Sequence, residues 1–195
     1  MAKIKLTKNE LKTQRDSLKR FQRYLPTLQL KKQQLQMEMR RLDQEIEEKR
    51  DEEQEARAKL SSWIQLYSES IDLGPYAELD TLKTSHGNIA GVTIPILDDL
   101  VFKEVPMNLF ETEAWTDEGV DTLKQLTRLR VERQILEEQH RLLGAELRTT
   151  TQRVNLFEKV KIPEAKENIR VIRIFMGDQQ TAAVARSKIA KGKSA

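Results

Sequence analysis

One pattern limits what this chain can fold into more than any other. From Leu11 a strict 3-4 spacing selects Leu11, Gln14, Leu18, Phe21, Leu25, Leu28, Lys32, Leu35, Met39, Leu42, Ile46, Lys49, Glu53, Ala56, Leu60, Trp63 and Tyr67. Only Gln14, Lys32, Lys49 and Glu53 are not apolar in that series. A run of about eight heptads is the signature of a coiled coil. Thr7 followed by Glu10 reads as a capping box at its start, and Gly74-Pro75 as its stop. At ~1.5 Å per residue such a helix is on the order of 90–100 Å long. A single apolar stripe of that length is not stable alone in water, so the helix needs a partner all along it.

The partner is a second series with the same rhythm: Leu126, Leu129, Arg133, Leu136, His140, Leu143, Leu147, Thr150, Val154 and Phe157. Beyond Phe157 the register fails, since Lys161, Glu164 and Asn168 would fall on the seam. A new frame takes over as Ile162, Ala165, Ile169, Ile172 and Met176, so the stripe has rotated by about one residue next to Pro163. Pro26 interrupts the first helix without breaking the phase of its seam, which reads as a bend.

Between the two series the texture changes. The stretches 88–97 (NIAGVTIPIL) and 99–105 (DLVFKEV) are rich in β-branched residues and edged by Gly and Pro, and read as two short antiparallel strands. The expected fold class is all-α dominated: a long antiparallel two-helix coiled coil with a short β-hairpin segment between the helices. The expected organisation is an N-terminal helix over 1–72, a connecting segment over 73–118, a C-terminal helix over 119–180 and a basic tail over 181–195 simple enough to be disordered. Folding back places Leu18 near Ile169, Met39 near Leu147 and Leu60 near Thr127 or Arg128, to within about one turn. Pro26 then pairs near residue 161, almost level with Pro163. Both chain ends come to one pole and the β segment to the other. The interhelical seam is expected at Leu18, Phe21, Leu25, Leu28, Leu35, Met39, Leu42, Ile46, Leu60, Leu136, Leu143, Leu147, Val154, Phe157, Ile169 and Ile172.

Composition agrees. Charged residues make up 33% and aromatics 5% of 195 residues, with 7 Gly and 5 Pro, which suits long helices with narrow buried stripes better than a thick-cored sheet. The charge is also polarised. Residues 1–23 hold eight Lys/Arg against two acids and residues 161–195 eight against three, whereas residues 69–121 hold two Lys against twelve Asp/Glu. The net charge of +3 conceals a chain with basic ends and an acidic middle, which has a preferred orientation in any charged socket. There is no cysteine, which excludes disulfides and thiolate metal sites. No apolar run approaches the ~20 residues needed to span a bilayer, and the start carries no apolar signal-peptide core.

Signatures of catalysis are missing: no phosphate-binding GxxxxGK[ST], no GxGxxG, no HExxH. His86 and His140 lack triad partners nearby, and His140 falls on the seam, where a polar residue fixes register. The run DEEQE over 51–55 reads as a solvated helix face and not as a divalent-ion site. No aromatic residue is interleaved with the C-terminal lysines, which argues against nucleic-acid binding. Trp63, Leu66 and Tyr67 read as packing near the end of the coil. The chain is expected to be a mechanical or interaction protein, without cofactor or metal.

Three stretches carry a family resemblance. KIKLTKNELKTQRDSLKRFQRYLPTLQLKKQQLQMEM at the start, NIAGVTIP after the first helix and RVNLFEKVKIPEAKENIRVI before the last one are similar to segments of the D subunits of the V-type/A-type ATPases, also called V-type ATP synthases. The chain departs from the family pattern at Leu156-Phe157, where Ala-Leu is usual, and in a tail with fewer Glu and Arg. The resemblance implies a non-catalytic rotor axle: a central-stalk hairpin inside a hexamer of A and B subunits, bound to the small F subunit. Through a funnel-shaped membrane-sector adapter it couples ATP turnover to an ion-translocating ring. It implies a cytoplasmic protein held at the membrane only through its complex, with Lys3, Lys5, Lys8, Lys188 and Lys191 as a basic end meeting the hexamer. Two other readings stay open at this point, a prefoldin-like chaperone subunit and a generic coiled-coil scaffold.

Overall fold

A computed structural model describes residues 4–61, 73–106 and 115–193. Lys3, Trp63, Leu66 and Tyr67 lie outside the described residues, as do the side chain of Leu60 and the end of the first helix ahead of Gly74-Pro75. The elements in order are α1 (Lys8–Ser61), a 3-10 turn (Gly74–Ala77), β1 (Leu79–Ile89), β2 (Val92–Phe102), α2 (Thr116–Asn155), a π-helical segment (Leu156–Lys161) and α3 (Ile162–Lys193). They form two compact units, Met1–Gln33 with Arg148–Ala195, and Gln34–Leu147.

In the first unit the start of α1 packs antiparallel against the end of α2 and against α3. Thr7 caps α1 by accepting the Glu10 N–H on its Oγ1 at 3.3 Å, so the first half of the capping box forms. The second half does not, because the Glu10 carboxylate instead accepts Gln14 Nε2 at 2.8 Å. Leu11, Ile169 and Ile172 make the core, with Ile4, Leu6, Leu18 and Met176 against it. Further along, the Phe21 and Phe157 rings lie 5.3 Å apart, a tilted aromatic pair. Pro26 lies inside α1, which continues through it.

The rotated stripe has a specific cause. The N–H of Ile162 bonds the carbonyl of Phe157, five residues back, and Leu156–Lys161 forms a π turn. A π turn holds one residue more than an α turn, so it absorbs the eight-residue step from Phe157 to Ala165 that a regular 3-4 seam cannot. Val154 before it and Ala165, Ile169 and Ile172 after it are all buried. Pro163 stands just past the turn, where it has no N–H to offer a regular helix. The tail set apart over 181–195 is helical up to Lys193. Its alanines at 182, 183, 185 and 190 are the strongest helix formers. Its side chains are exposed throughout.

In the second unit α1 and α2 pair through Leu35, Leu42 and Leu143, all at most 2% exposed. Ile94 of β2 joins the same cluster, with Met39, Ile89, Ala90, Val92, Leu136 and Leu147 packed around it. Two features depart from the expected plan. The strands are not 88–97 and 99–105 but 79–89 and 92–102, turning at Ala90-Gly91. Both turn residues have positive φ, 51° and 80°, the geometry that matches the right-handed twist of a two-residue hairpin. Asn88 Oδ1 accepts the Gly91 N–H at 3.0 Å and holds the turn. Moreover, the hairpin is not at the far end of this helix pair. It folds back so that its tip lies beside Leu35, Leu42 and Leu143, because a two-stranded sheet must lean on a larger apolar surface.

Two expectations follow. Deleting exposed Val160 should convert the π turn to α while keeping both buried stripes in phase. Its thermal midpoint should equal or exceed the parent's, whereas inserting Ala there should rotate Ile169 and Ile172 out of the seam and cost about 3 kcal/mol or more. Thermal unfolding followed by circular dichroism checks both. Ala90→Gly should stabilise by about 1 kcal/mol in denaturant unfolding, since a non-glycine residue carries that much strain in the left-handed region.

Candidate functional site

The functional surface of a helix pair is its seam together with what the seam presents outward. Of the sixteen expected seam residues, Leu35, Leu42, Ile46, Leu143, Val154, Ile169 and Ile172 are buried. Leu18, Phe21, Leu25, Leu28, Met39, Leu136, Leu147 and Phe157 are half-buried. Of the basic residues, Lys5, Lys8, Lys188 and Lys191 are exposed, all in the first unit.

Five of the polar residues that interrupt the seam are matched across it. Glu53, 8% exposed, accepts Arg57 Nη2 at 2.6 Å on its own helix and Arg133 Nε at 3.2 Å from α2. Glu53 and Arg133 are both polar insertions in the apolar series, one on each helix. Arg133 also donates to Glu137 at 2.7 Å. Lys49 reaches Glu52 at 2.8 Å and Glu132 across the pair at 3.0 Å. His140 Nε2 lies 2.9 Å from Asp43 Oδ1. In the first unit Asn168 Nδ2 donates to Gln14 Oε1 at 3.3 Å, and Gln14 in turn donates to Glu10. Thr150, the remaining polar insertion of the second series, is buried. The partners Asp43, Glu132 and Asn168 were not separable from other surface polar residues in the sequence, because they flank the stripe or belong to a frame shifted by the π turn.

These pairs have electrostatic consequences. The hydrogen bond to Glu52 raises the Lys49 ammonium above its ordinary value, desolvation opposes it, and Glu132 adds to the rise. A raised base contributes stability in full below its unfolded pKa. That contribution is lost as pH rises through the folded value, hence only in the strongly alkaline range. Arg133 is raised likewise, by its bond to Glu137 first, against desolvation. Within the DEEQE run, Glu52 and Glu53 are engaged by Lys49, Arg57 and Arg133. Among the described residues no group of three or more His, Cys, Asp or Glu converges as a metal site.

Charge divides along the same line as packing. The first unit carries twenty-one Lys/Arg against six Asp/Glu, and the second thirteen against twenty-five. Each unit therefore presents one dominant sign to whatever surrounds it. Among the described residues no helix is long and apolar enough to cross a membrane.

A family model for the ATP synthase D subunit matches residues 10–192. The chain belongs to that family. It is 50% identical over 191 residues to the V-type ATP synthase D subunit of Borreliella burgdorferi, covering 98% of this chain and 95% of the relative. It is 32% identical over 195 residues to the V-type ATP synthase D subunit of Chlamydia caviae, covering 98% and 94%. The same identity relates it to that of Chlamydia trachomatis serovar L2, over 98% of this chain and 96% of the relative. Family membership replaces the prefoldin-like and scaffold readings.

For this member of the family the matched seam predicts a separation of stability from register. Replacing Glu53 and Arg133 together by Leu should leave stability unchanged or raise it by about 1–4 kcal/mol, since both seam charges go and the partners they leave, Arg57 and Glu137, are exposed to water. Replacing Glu53 alone by Leu should cost about 3 kcal/mol by leaving Arg133 partly buried without its cross-helix partner. The sequence has no cysteine, so introduced cysteine pairs report register cleanly. The double variant should crosslink at positions one turn out of register, which the parent does not.

Proposed function

We propose that this chain is the non-catalytic central-stalk axle of a V-type ATP synthase. It would couple ATP turnover in a hexamer of A and B subunits to rotation of a membrane ion-translocating ring. The observation that carries the reading is the family match across residues 10–192, on a chain whose described residues form antiparallel helix pairs. A helix pair suits torque transmission because its knobs cannot slide without leaving their holes. The matched polar insertions add a second resistance, since a slip of one turn would strand Glu53 opposite an apolar residue.

Coupling needs more than stiffness. A pair of unlike helices is not symmetric about its axis, so it makes different contacts with otherwise equivalent catalytic sites. Such differential contacts bias each site toward a different conformation. The F subunit and a funnel-shaped adapter complete the partner set in this reading, and the chain is held at the membrane peripherally, through the complex. The basic unit is the part that meets the hexamer, and the acidic unit faces the remaining stalk and adapter partners.

Co-purification from cells expressing the A, B and F subunits tests the reading: the chain should be recovered with all three and should show no ATP turnover alone. Recovery without A and B, or turnover by the pure chain, overturns it. Lys5, Lys8, Lys188 and Lys191 changed together to Glu should weaken binding to the A/B hexamer by about tenfold or more while leaving F binding nearly unchanged. Equal losses toward both partners would remove the basic end from the interface.

A further inference from the structure

The hairpin has two edges, and they are not equivalent. Its two-residue turn makes Ile89 and Val92 a mutually hydrogen-bonded pair. Alternation along an antiparallel ladder then makes Gly87–Ile94 and Ser85–Ile96 bonded pairs as well. It turns the backbone N–H and C=O groups of Thr84, His86 and Asn88 outward on β1, and those of Thr93, Pro95 and Leu97 outward on β2.

On β2 that outer edge is already occupied. Gln139 of α2 donates to the Pro95 carbonyl at 2.6 Å, and Pro95 has no N–H to leave unpaired. Ile96 and Leu97 line one cleft with Ile135, Leu136 and Gln139, which turns the β2 side toward the helix. The β1 edge has no such cover. Thr84, His86 and Asn88 are exposed, and no backbone bond outside the hairpin engages them among the described residues. Native folds blunt open edges of this kind or use them to pair with another chain.

The surroundings specify the chemistry of what would pair there. Glu78, Asp80, Asp98 and Asp99 stand on the hairpin against Lys83 and Lys103. Lys83 lies 3.9 Å from Asp99 and Lys103 3.1 Å from Glu78, which leaves the charge of Asp80 and Asp98 uncompensated among the described residues. Among the described residues Asp80 and Asp98 accept only neutral hydroxyls, from Thr81 and Ser85. A second copy pairing hairpin edge to hairpin edge would bring the same acidic surface and be repelled. We propose that the outer edge of β1 at Thr84, His86 and Asn88 takes an extended, lysine- or arginine-bearing segment of a partner protein, which adds a third strand to the hairpin. Main-chain bonds supply the affinity, and the carboxylates select a basic strand.

The test is residue-resolved amide exchange of the full chain, alone and in the ATP synthase complex isolated from its own cells. In the complex, exchange at Thr84, His86 and Asn88 should slow by about tenfold or more, while Ser85, Gly87 and Ile89 are protected in both states. His86→Pro removes one outward donor and none inside the ladder. It should abolish the slowing at Thr84 and Asn88 while Ser85 and Gly87 stay protected in the isolated chain. Carbodiimide coupling of Asp80 or Asp98 should land on a lysine of another protein. Equally fast outward amides in both states overturn the proposal, as does coupling to a second copy of this chain. Because the readout is taken on material that has already co-isolated, its failure is distinct from failure of the axle reading.

Discussion

The contact between two apolar stripes running in opposite directions is what every other feature of this molecule depends on. Leu35, Leu42 and Leu143 are sealed from water, and each such side chain contributes about 1.5–3 kcal/mol relative to exposure. In the second unit these leucines form the core cluster among the described residues. The hairpin relies on it directly, because Ile94 reaches the same cluster and a lone pair of strands would not hold its own shape. The ionic pairs rely on it indirectly. Glu53 and Arg133 are worth having only where their neighbours keep both helices in place, since a partly buried charge without its partner would oppose folding.

A seam of this kind must also stay in phase, and here the chain meets a conflict. Eight residues separate Phe157 from Ala165, too many for two turns of a regular α-helix and too few for three. The π turn at Leu156–Lys161 resolves it locally, and Leu156 and Val160 end up on the solvent side as a result. Pro163 suits that solution, because the disturbed hydrogen bonding ahead of it already departs from the pattern a proline would break. Phe157 lies on this same turn and packs its ring against Phe21. Bulk and phase are adjusted together.

The sequence made the helical half of the fold legible because an apolar period of 3.5 residues has few other solutions. It also marked the stripe's rotation after Phe157, though not the π turn that produces it. The strands were harder. Ala90-Gly91 is a weak turn signal beside the Asn-Gly or Asp-Gly pairs that favour such hairpins, so the β-branched run through it reads as one continuous strand. Register along a repeating stripe is degenerate by one turn in either direction, and a ring pair such as Phe21–Phe157 removes that degeneracy only once both helices are in place.

By itself the sequence determined that this protein would be a pair of long helices with a narrow apolar seam, basic at the ends and acidic in the middle. Those properties reside in local periodicity and in counts of charge, which need no knowledge of distant contacts. Only the tertiary structure decided which polar residues answer one another across the seam, and that Asp43, Glu132 and Asn168 are the partners. It alone decided that the hairpin doubles back beside Leu143, with Gln139 covering one edge and no described residue bonding the backbone of the other. Those are choices between pairings of nearly equal local cost. They are settled by packing between residues far apart in the chain, which no local pattern can encode.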